Sequence, residues 1–259
     1  MYISLEQVPT MNNPFLSVII PSYNEKNNLK RGVLDEIITY LNIQSYTWEV
    51  ILSDDGSTDG TLNELIEFSK NHDNVFVLAN SHMGKGPTVT AGMLKASGEW
   101  RLFTDFDQST PLKEIEKLIV YINDHDVIIG SREIPGALRD KEPFYRHLMG
   151  RGFNFLVRTL AVPKIYDTQC GFKLFSSQAT TTLFNQLYIY AGNKIRVDAF
   201  TGAFDVELLY LARKNSFKIK EVPILWQHYH TDRVSPVKDS IRMLKDIIKI
   251  RIADLLKKY

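Results

Sequence analysis

Cysteine is almost absent from this 259-residue chain. Cys170 stands alone, so no intramolecular disulfide can form and multi-cysteine metal sites are excluded. A reducing compartment suits such a chain, and the cytoplasm is the expected location. Net charge is nearly absent as well. With 31 Lys plus Arg against 30 Asp plus Glu the balance is +1, so no nucleic acid is expected as partner, since such binders carry a strongly basic face. Long apolar runs are missing. Stretches such as Leu16 to Ile20 fall far short of the roughly 18 residues of a transmembrane helix. Met1 to Pro14 has no charged stretch followed by an apolar one, so no secretory signal is expected. Neither G-x-G-x-x-G nor Walker A spacing occurs, which weakens a dinucleotide cofactor and removes the P-loop reading. No repeat, low-complexity tract or linker interrupts the chain. What is present, 44% hydrophobic residues, suffices for the core of one large α/β domain.

Short β-rich runs alternate with longer helical patterns over the first two-thirds, as in a mainly parallel central sheet flanked by helices. Strands are expected at Phe15–Pro21, Trp48–Ser53, Val75–Ala79, Trp100–Asp105 and Val127–Gly130. Helices are expected at Asn24–Leu41, Thr58–Lys70, Gly84–Ala96 and Leu112–Asn123, where apolar residues such as Leu62, Leu65, Ile66 and Phe68 recur at helical spacing. Pro111 marks a helix start. From Pro135 to Lys164 the chain becomes basic and aromatic. A strand near Phe172–Phe175, helices at Ser177–Leu187 and Phe204–Lys214, a strand at Phe217–Val222 and a final helix at Pro236–Lys257 follow. The expected organisation is an extension over 1–14, one domain over 15–234 and an amphipathic helix over 235–259.

Ligands of open α/β sheets bind at the carboxyl ends of the strands. Four such ends are rich in polar residues: Pro21-Ser22-Tyr23-Asn24-Glu25, Asp54 to Gly60, Asn80 to Gly86, and Asp105-Phe106-Asp107-Gln108. Asp105 and Asp107 share a face in extended geometry and suit a hard divalent cation that completes its shell with water and phosphate oxygens. The bland alternative is a helix cap or solvated turn. Asp54 or Asp55 can accept hydrogen bonds from a base or ribose; equally, they can close a turn, with Ser57 or Thr58 capping the next helix. Gly84-Lys85-Gly86 can present a cation and backbone N–H groups to a phosphate.

Taken in order and spacing, these four motifs resemble the family 2 inverting glycosyltransferases of GT-A fold. Gly130-Ser131-Arg132, the segment Asp167 to Phe175, Phe204 to Leu209 and Glu221 to Trp226 are similar to the polyprenyl-phosphate sugar transferases, most of all the dolichyl-phosphate β-glucosyltransferase group. The resemblance covers about residues 15–255. It implies a nucleotide-sugar donor, UDP-glucose first, bound by Pro21, Tyr23, Glu25, Asp54, Asp55, Lys85, Asp105 and Gln108. It implies Mg²⁺ or Mn²⁺ on Asp105 and Asp107, inversion at the anomeric carbon, and catalytic roles for Asp107, Asp205 and Arg132. The implied acceptor is a polyprenyl or dolichyl phosphate. Arg132 is placed near its phosphate by motif, with Arg139, Arg146, Arg151, Lys173 and Arg233 as further cationic candidates.

Residues two apart on a helix do not share a face, so only one of Asp205 and Glu207 is expected in the site. Were the acceptor a glycan hydroxyl, Asp205 would be the natural general base; a GDP-mannose donor is the other alternative. The final helix carries Val237, Ile241, Leu244, Ile248, Ile252 and Leu255 in one stripe beside several Lys and Arg. It is read either as packed on the domain or as contacting an anionic membrane from the cytoplasmic side as a peripheral protein. A homo-oligomer is compatible with the sequence. His228-Tyr229-His230 lacks a third ligand at metal spacing, and Cys170 reads as a buried small apolar group.

Overall fold

A computed structural model describes residues 13–140, 161–191, 203–229 and 236–259, with only the backbone of 236–240. Strands β1 (Leu16–Ser22), β2 (Trp48–Asp54), β3 (Val75–Ala79), β4 (Trp100–Thr104), β5 (Val127–Ser131), β7 (Phe172–Ser176) and β8 (Ile219–Pro223) form one sheet. Its order is β3-β2-β1-β4-β7-β5-β8. Neighbours are parallel except at β7, which runs antiparallel to both β4 and β5. Two-residue strands β6 (Leu138–Arg139) and β9 (Leu225–Trp226) make a separate parallel pair, a feature too short to show in the sequence pattern.

Both sheet faces are covered, which is why strands such as Val18-Ile19-Ile20 are continuously apolar rather than alternating. Successive side chains point to opposite faces. Val18, Ile20, Leu52 and Leu102 face α2 (Val33–Asn42) and α5 (Ile115–Ile119). Ile19, Ile51, Phe103 and Phe175 face α4 (Lys85–Lys95), α6 (Ser177–Gln186) and α7 (Phe204–Lys214). The last helix, α8 (Pro236–Leu255), joins this second cluster through Met243, Ile247 and Ile250.

Most expected elements appear within a few residues of their expected ends. The helix expected over Asn24–Leu41 is instead two, α1 (Lys26–Lys30) and α2, because Gly32 adopts φ +80° between them and a left-handed residue ends a helix. The helix expected over Leu112–Asn123 shrinks to a 3₁₀ turn at Leu112–Glu114 followed by α5. Neither Ser57 nor Thr58 caps α3 (Thr61–Ser69): Asp59 Oδ1 accepts the Thr61 N–H at 2.9 Å. Among the described residues, no helix is long and apolar enough to cross a membrane.

Candidate active site

The parallel register sets Ser22 beside Asp54 and Asp54 beside Ala79, so the first three polar strand ends lie side by side. Asp54 is fully buried. Ser22 Oγ (3.0 Å) and Ser57 Oγ (2.6 Å) donate to its Oδ1, and the Ser57 N–H donates to Oδ2 at 2.9 Å. Asp55, also buried, receives the Met83 N–H at 2.8 Å and the Gly84 N–H at 3.0 Å, and pairs with His82 Nδ1 at 2.8 Å. In this geometry the two carboxylates hold loops; neither is turned to solvent. What they position is Tyr23, whose ring stacks on His82 with centroids 4.2 Å apart and planes 7° from parallel. That stack offers a flat aromatic face at the strand ends to a planar ring. Glu25 is buried and accepts from Asn28 Nδ2 at 2.5 Å, and Pro21 is half-buried in β1.

Lys85 opens α4 and its ammonium pairs with Asp105, just beyond β4. Burial works against the Lys85 charge, but Asp105, Asp205 and Asp107 together raise its pKa. All three carboxylates therefore lie within electrostatic reach of one ammonium. Asp107 is pushed toward its neutral form: burial and then the like charge of Asp105 raise its pKa, although Ser109 N–H donates to its Oδ1 at 2.8 Å. Gln108 takes φ +52° and folds Nε2 back onto the Asp105 carbonyl at 2.9 Å, leaving its buried Oε1 unpartnered.

The antiparallel β7 brings the segment before it, Asp167 to Gly171, across the ends of β4 and β5. Gly171 lies so close to Asp105 that a β-carbon would overlap its carboxylate. Arg132, just after β5, grips the fully buried Asp167 through Nε (2.7 Å) and Nη2 (2.9 Å). Burial opposes both charges, yet the pair prevails: Arg132 is raised and Asp167 is held at about 2. Glu221 of β8 receives the Asp167 N–H at 2.7 Å and the Tyr166 N–H at 2.9 Å, fixing the segment from below. Burial, then Asp167, pushes the Cys170 thiol up to about 12, so it is no nucleophile at neutral pH.

Lys173 corrects one expectation. It is not a surface cation awaiting a phosphate: its side chain is wholly buried, and its ammonium donates to Asp205 Oδ1 and the Cys170 carbonyl. Asp205 thereby faces the site from the first turn of α7. Glu207 points away, accepting the N–H groups of Tyr188 (2.9 Å), Ile189 (2.8 Å) and Tyr190 (3.1 Å) and the Tyr259 hydroxyl (2.7 Å). The two acids divide as their spacing requires. Arg139 pairs with Glu133, and its guanidinium lies 5.4 Å from the Trp226 ring centre, with Arg132 5.6 Å from the same ring. Arg146, Arg151 and Arg233 lie outside the described residues.

Sequence reasoning missed the contact that closes the site from α1. Arg31 donates to the Asp107 carbonyl and sits 3.9 Å above the Tyr229 ring, while the Gln227 N–H reaches the Ser109 carbonyl at 2.7 Å. The stretch carrying His228 and Tyr229 is thus laid against the Asp105 to Ser109 turn. Among the described residues, no three His, Cys, Asp or Glu side chains cluster as metal ligands. A cation at Asp105 and Asp107 would have to draw its other ligands from water and a bound phosphate, as magnesium commonly does.

The model for Glycosyl transferase family 2 matches residues 17–184. A dolichyl-phosphate beta-glucosyltransferase of Dictyostelium discoideum is 35% identical, over 97% of this chain and 78% of its own length. The Saccharomyces cerevisiae enzyme of that name is 34% identical over 95% and 76%, and the Homo sapiens one 34% over 92% and 75%. Among solved structures, mannosyl-3-phosphoglycerate synthase from Rubrobacter xylanophilus superposes with a TM-score of 0.59 at 14% identity, covering 95% of this chain and 75% of that one. A mannosyltransferase from Pyrobaculum calidifontis, in complex with GDP-Man and Mn²⁺, gives 0.56 at 18% identity, covering 86% and 59%. At these identities the structural likeness is one of fold.

Proposed function

The chain belongs to glycosyl transferase family 2 with a GT-A fold, and from that premise we propose that it transfers glucose from UDP-glucose to a dolichyl or other polyprenyl phosphate, with inversion. The observation that carries this reading is similarity at about 35% identity, over nearly the whole chain, to dolichyl-phosphate beta-glucosyltransferases.

The donor's base stacks on Tyr23, with Pro21 and Glu25 beside it. Asp54 and Asp55 hold that platform from behind. Lys85, Asp105 and Gln108 border the diphosphate. A divalent cation, Mg²⁺ or Mn²⁺, held by Asp105 and Asp107, would offset the charge gathering on the departing diphosphate. The acceptor needs little activation: a monophosphate has its second pKa near ~6 and is largely dianionic at neutral pH. One of its oxygens attacks the anomeric carbon as the bond to the UDP oxygen breaks. An α-linked donor then yields a β-linked glucosyl phosphate. Arg132 and Arg139, gathered around Trp226, draw the phosphate in. Asp205 lines the approach and orients it.

A glycan-hydroxyl acceptor would require Asp205 to take a proton. Its Oδ1 already accepts from the buried Lys173 ammonium, so that oxygen is occupied, which supports the phosphate acceptor. We assign the reaction to the cytoplasmic membrane face, with the protein peripheral to it.

The test is transfer of radiolabel from UDP- and GDP-sugars, with Mg²⁺ or Mn²⁺, into an organic-extractable dolichyl phosphate fraction. Label from UDP-glucose is expected. Label from GDP-mannose alone, or donor hydrolysis without lipid product, would overturn the assignment.

A further inference from the structure

The last helix has two apolar faces, and among the described residues only one of them is packed against the domain. Met243, Ile247, Ile250 and Ala253 are buried against the domain. On the opposite side, at steps of three and four, Ile241 (53% exposed), Leu244, Ile248 (47%), Ile252 (49%) and Leu255 (77%) form a stripe in which all but the half-buried Leu244 are exposed. At 100° per residue the centres of the two stripes are roughly 160° apart. A surface helix needs only the first.

Charge is sorted across the same helix. Its two acids with described side chains face inward: Asp246 receives the Tyr190 hydroxyl and the Lys249 ammonium, and Asp254 the Tyr210 hydroxyl and the Lys214 ammonium. Exposed cations rim the outer stripe: Lys245 and Lys249 on one flank, and on the other Arg251, whose Nη1 donates to the Tyr210 hydroxyl at 3.0 Å. On the Arg251 side the rim continues into a groove of about 420 Å³ lined by Arg213, Lys214 and Arg251, with Asp254 among them. An apolar band with exposed cations on both flanks, its described acids taken up by Tyr and Lys side chains, complements one kind of surface, hydrocarbon overlaid with anionic headgroups.

The helix is also tied to the candidate site. Met243 Sδ accepts from Gln169 Nε2 at 3.4 Å, and Gln169 is two residues from the glycine that abuts Asp105. A surface occupied by the outer stripe is therefore within one packed layer of the Asp167 to Gly171 segment.

We propose that the outer face of α8, centred on Ile248 and Ile252, lies flat on an anionic bilayer and thereby presents the catalytic edge to an acceptor phosphate in that bilayer. This deepens the reading given above and rests on it for the acceptor. The face itself is tested without it.

The experiment is co-sedimentation with vesicles of phosphatidylcholine, alone or mixed with phosphatidylglycerol. The wild-type chain is expected to bind the anionic vesicles and to release as salt rises. Ile248→Glu/Ile252→Glu should lower partitioning by at least about tenfold, since two isoleucines lose their place in hydrocarbon, with an unchanged unfolding temperature because both side chains are exposed. Lys245→Glu/Lys249→Glu should abolish the preference for anionic lipid. Equal partitioning of wild type and Ile248→Glu/Ile252→Glu, or no binding by wild type, would overturn the proposal. So would a wild-type dimer in sedimentation velocity that the isoleucine variant dissociates, because a second copy would then own the face. Turnover on a short, water-soluble isoprenyl phosphate separates this from the reaction: the isoleucine variant should retain it in full. Vesicle binding without any transfer to that acceptor would instead retire the reaction while leaving the surface intact.

Discussion

Gly171 and Asp105 occupy adjoining space with no room for a methyl group between them. The backbone of one motif is the wall against which the carboxylate of another rests, although 66 positions separate them (171 less 105). The orientation of Asp105 is therefore set from β7 as much as from its own strand.

Gly171→Ala should fold and yet fail. The added carbon forces Asp105 aside by a fraction of an ångström to an ångström, a displacement that costs about a hundredfold in rate when it moves a reacting group. Glucosyl transfer at saturating donor, read beside a near-normal unfolding temperature, checks this; wild-type turnover would remove Gly171 from the positioning machinery.

Chelation with EDTA should abolish transfer by the wild-type protein, and Mg²⁺ or Mn²⁺ should restore it. In Asp107→Asn added metal should restore little, leaving the rate at least about a hundredfold down. Turnover that survives exhaustive chelation would count against a cation on this pair.

Lys173→Met removes the partner of the buried Asp205 carboxylate. Breaking such a pair from one side costs about 3–5 kcal/mol, which the urea midpoint would report. Lys173→Met/Asp205→Asn should recover part of that stability but not the activity. Simple additivity of the two single losses would show that the ion pair does not couple them.

Asp167 gives a pH signature. Its carboxyl is held at about 2: burial opposes ionisation and Arg132 more than compensates. A carboxylate lowered in the folded state stabilises the fold above its unfolded value near ~4, and that stabilisation is lost as pH falls through the folded value. The contribution is roughly 2 kcal/mol. Urea midpoints measured downward from neutral pH should fall in this window, and the fall should be shallower in Asp167→Asn. An identical slope in both would show that another carboxylate carries the acid sensitivity.

The parallel half of the fold was legible because its strands are apolar runs bounded by polar motifs, and because those motifs must meet at one edge. The direction of β7 was not: Phe-Lys-Leu-Phe reads as a strand in either sense, and only pairing with β4 and β5 decides. Helical spacing picked out Ile241, Ile248 and Ile252 but not which side of α8 they take, since Met243, Ile247 and Ile250 follow the same period. The motif containing Gly171 was visible, but the reason for its glycine, a carboxylate from a distant strand, is a tertiary contact. Asp54 and Asp55 read equally as ligand groups or as turn closers; here the side chains of Ser22, Ser57 and His82 and three N–H groups take up their charge inside the protein.

Lys173 acts as a register pin. On β7, Phe172 and Leu174 enter one core layer and Phe175 the other, with Lys173 beside Phe103 on the Phe175 side. A slip of one residue against β4 would reverse every side chain, sending the ammonium into a layer of leucine and isoleucine with no carboxylate to meet it. A buried cation without a partner is far costlier than a lost methylene. The strand that joins the Tyr23 half of the sheet to the Arg132 half can thus settle in one alignment only, and the distance between those two ends of the site is fixed by the same choice.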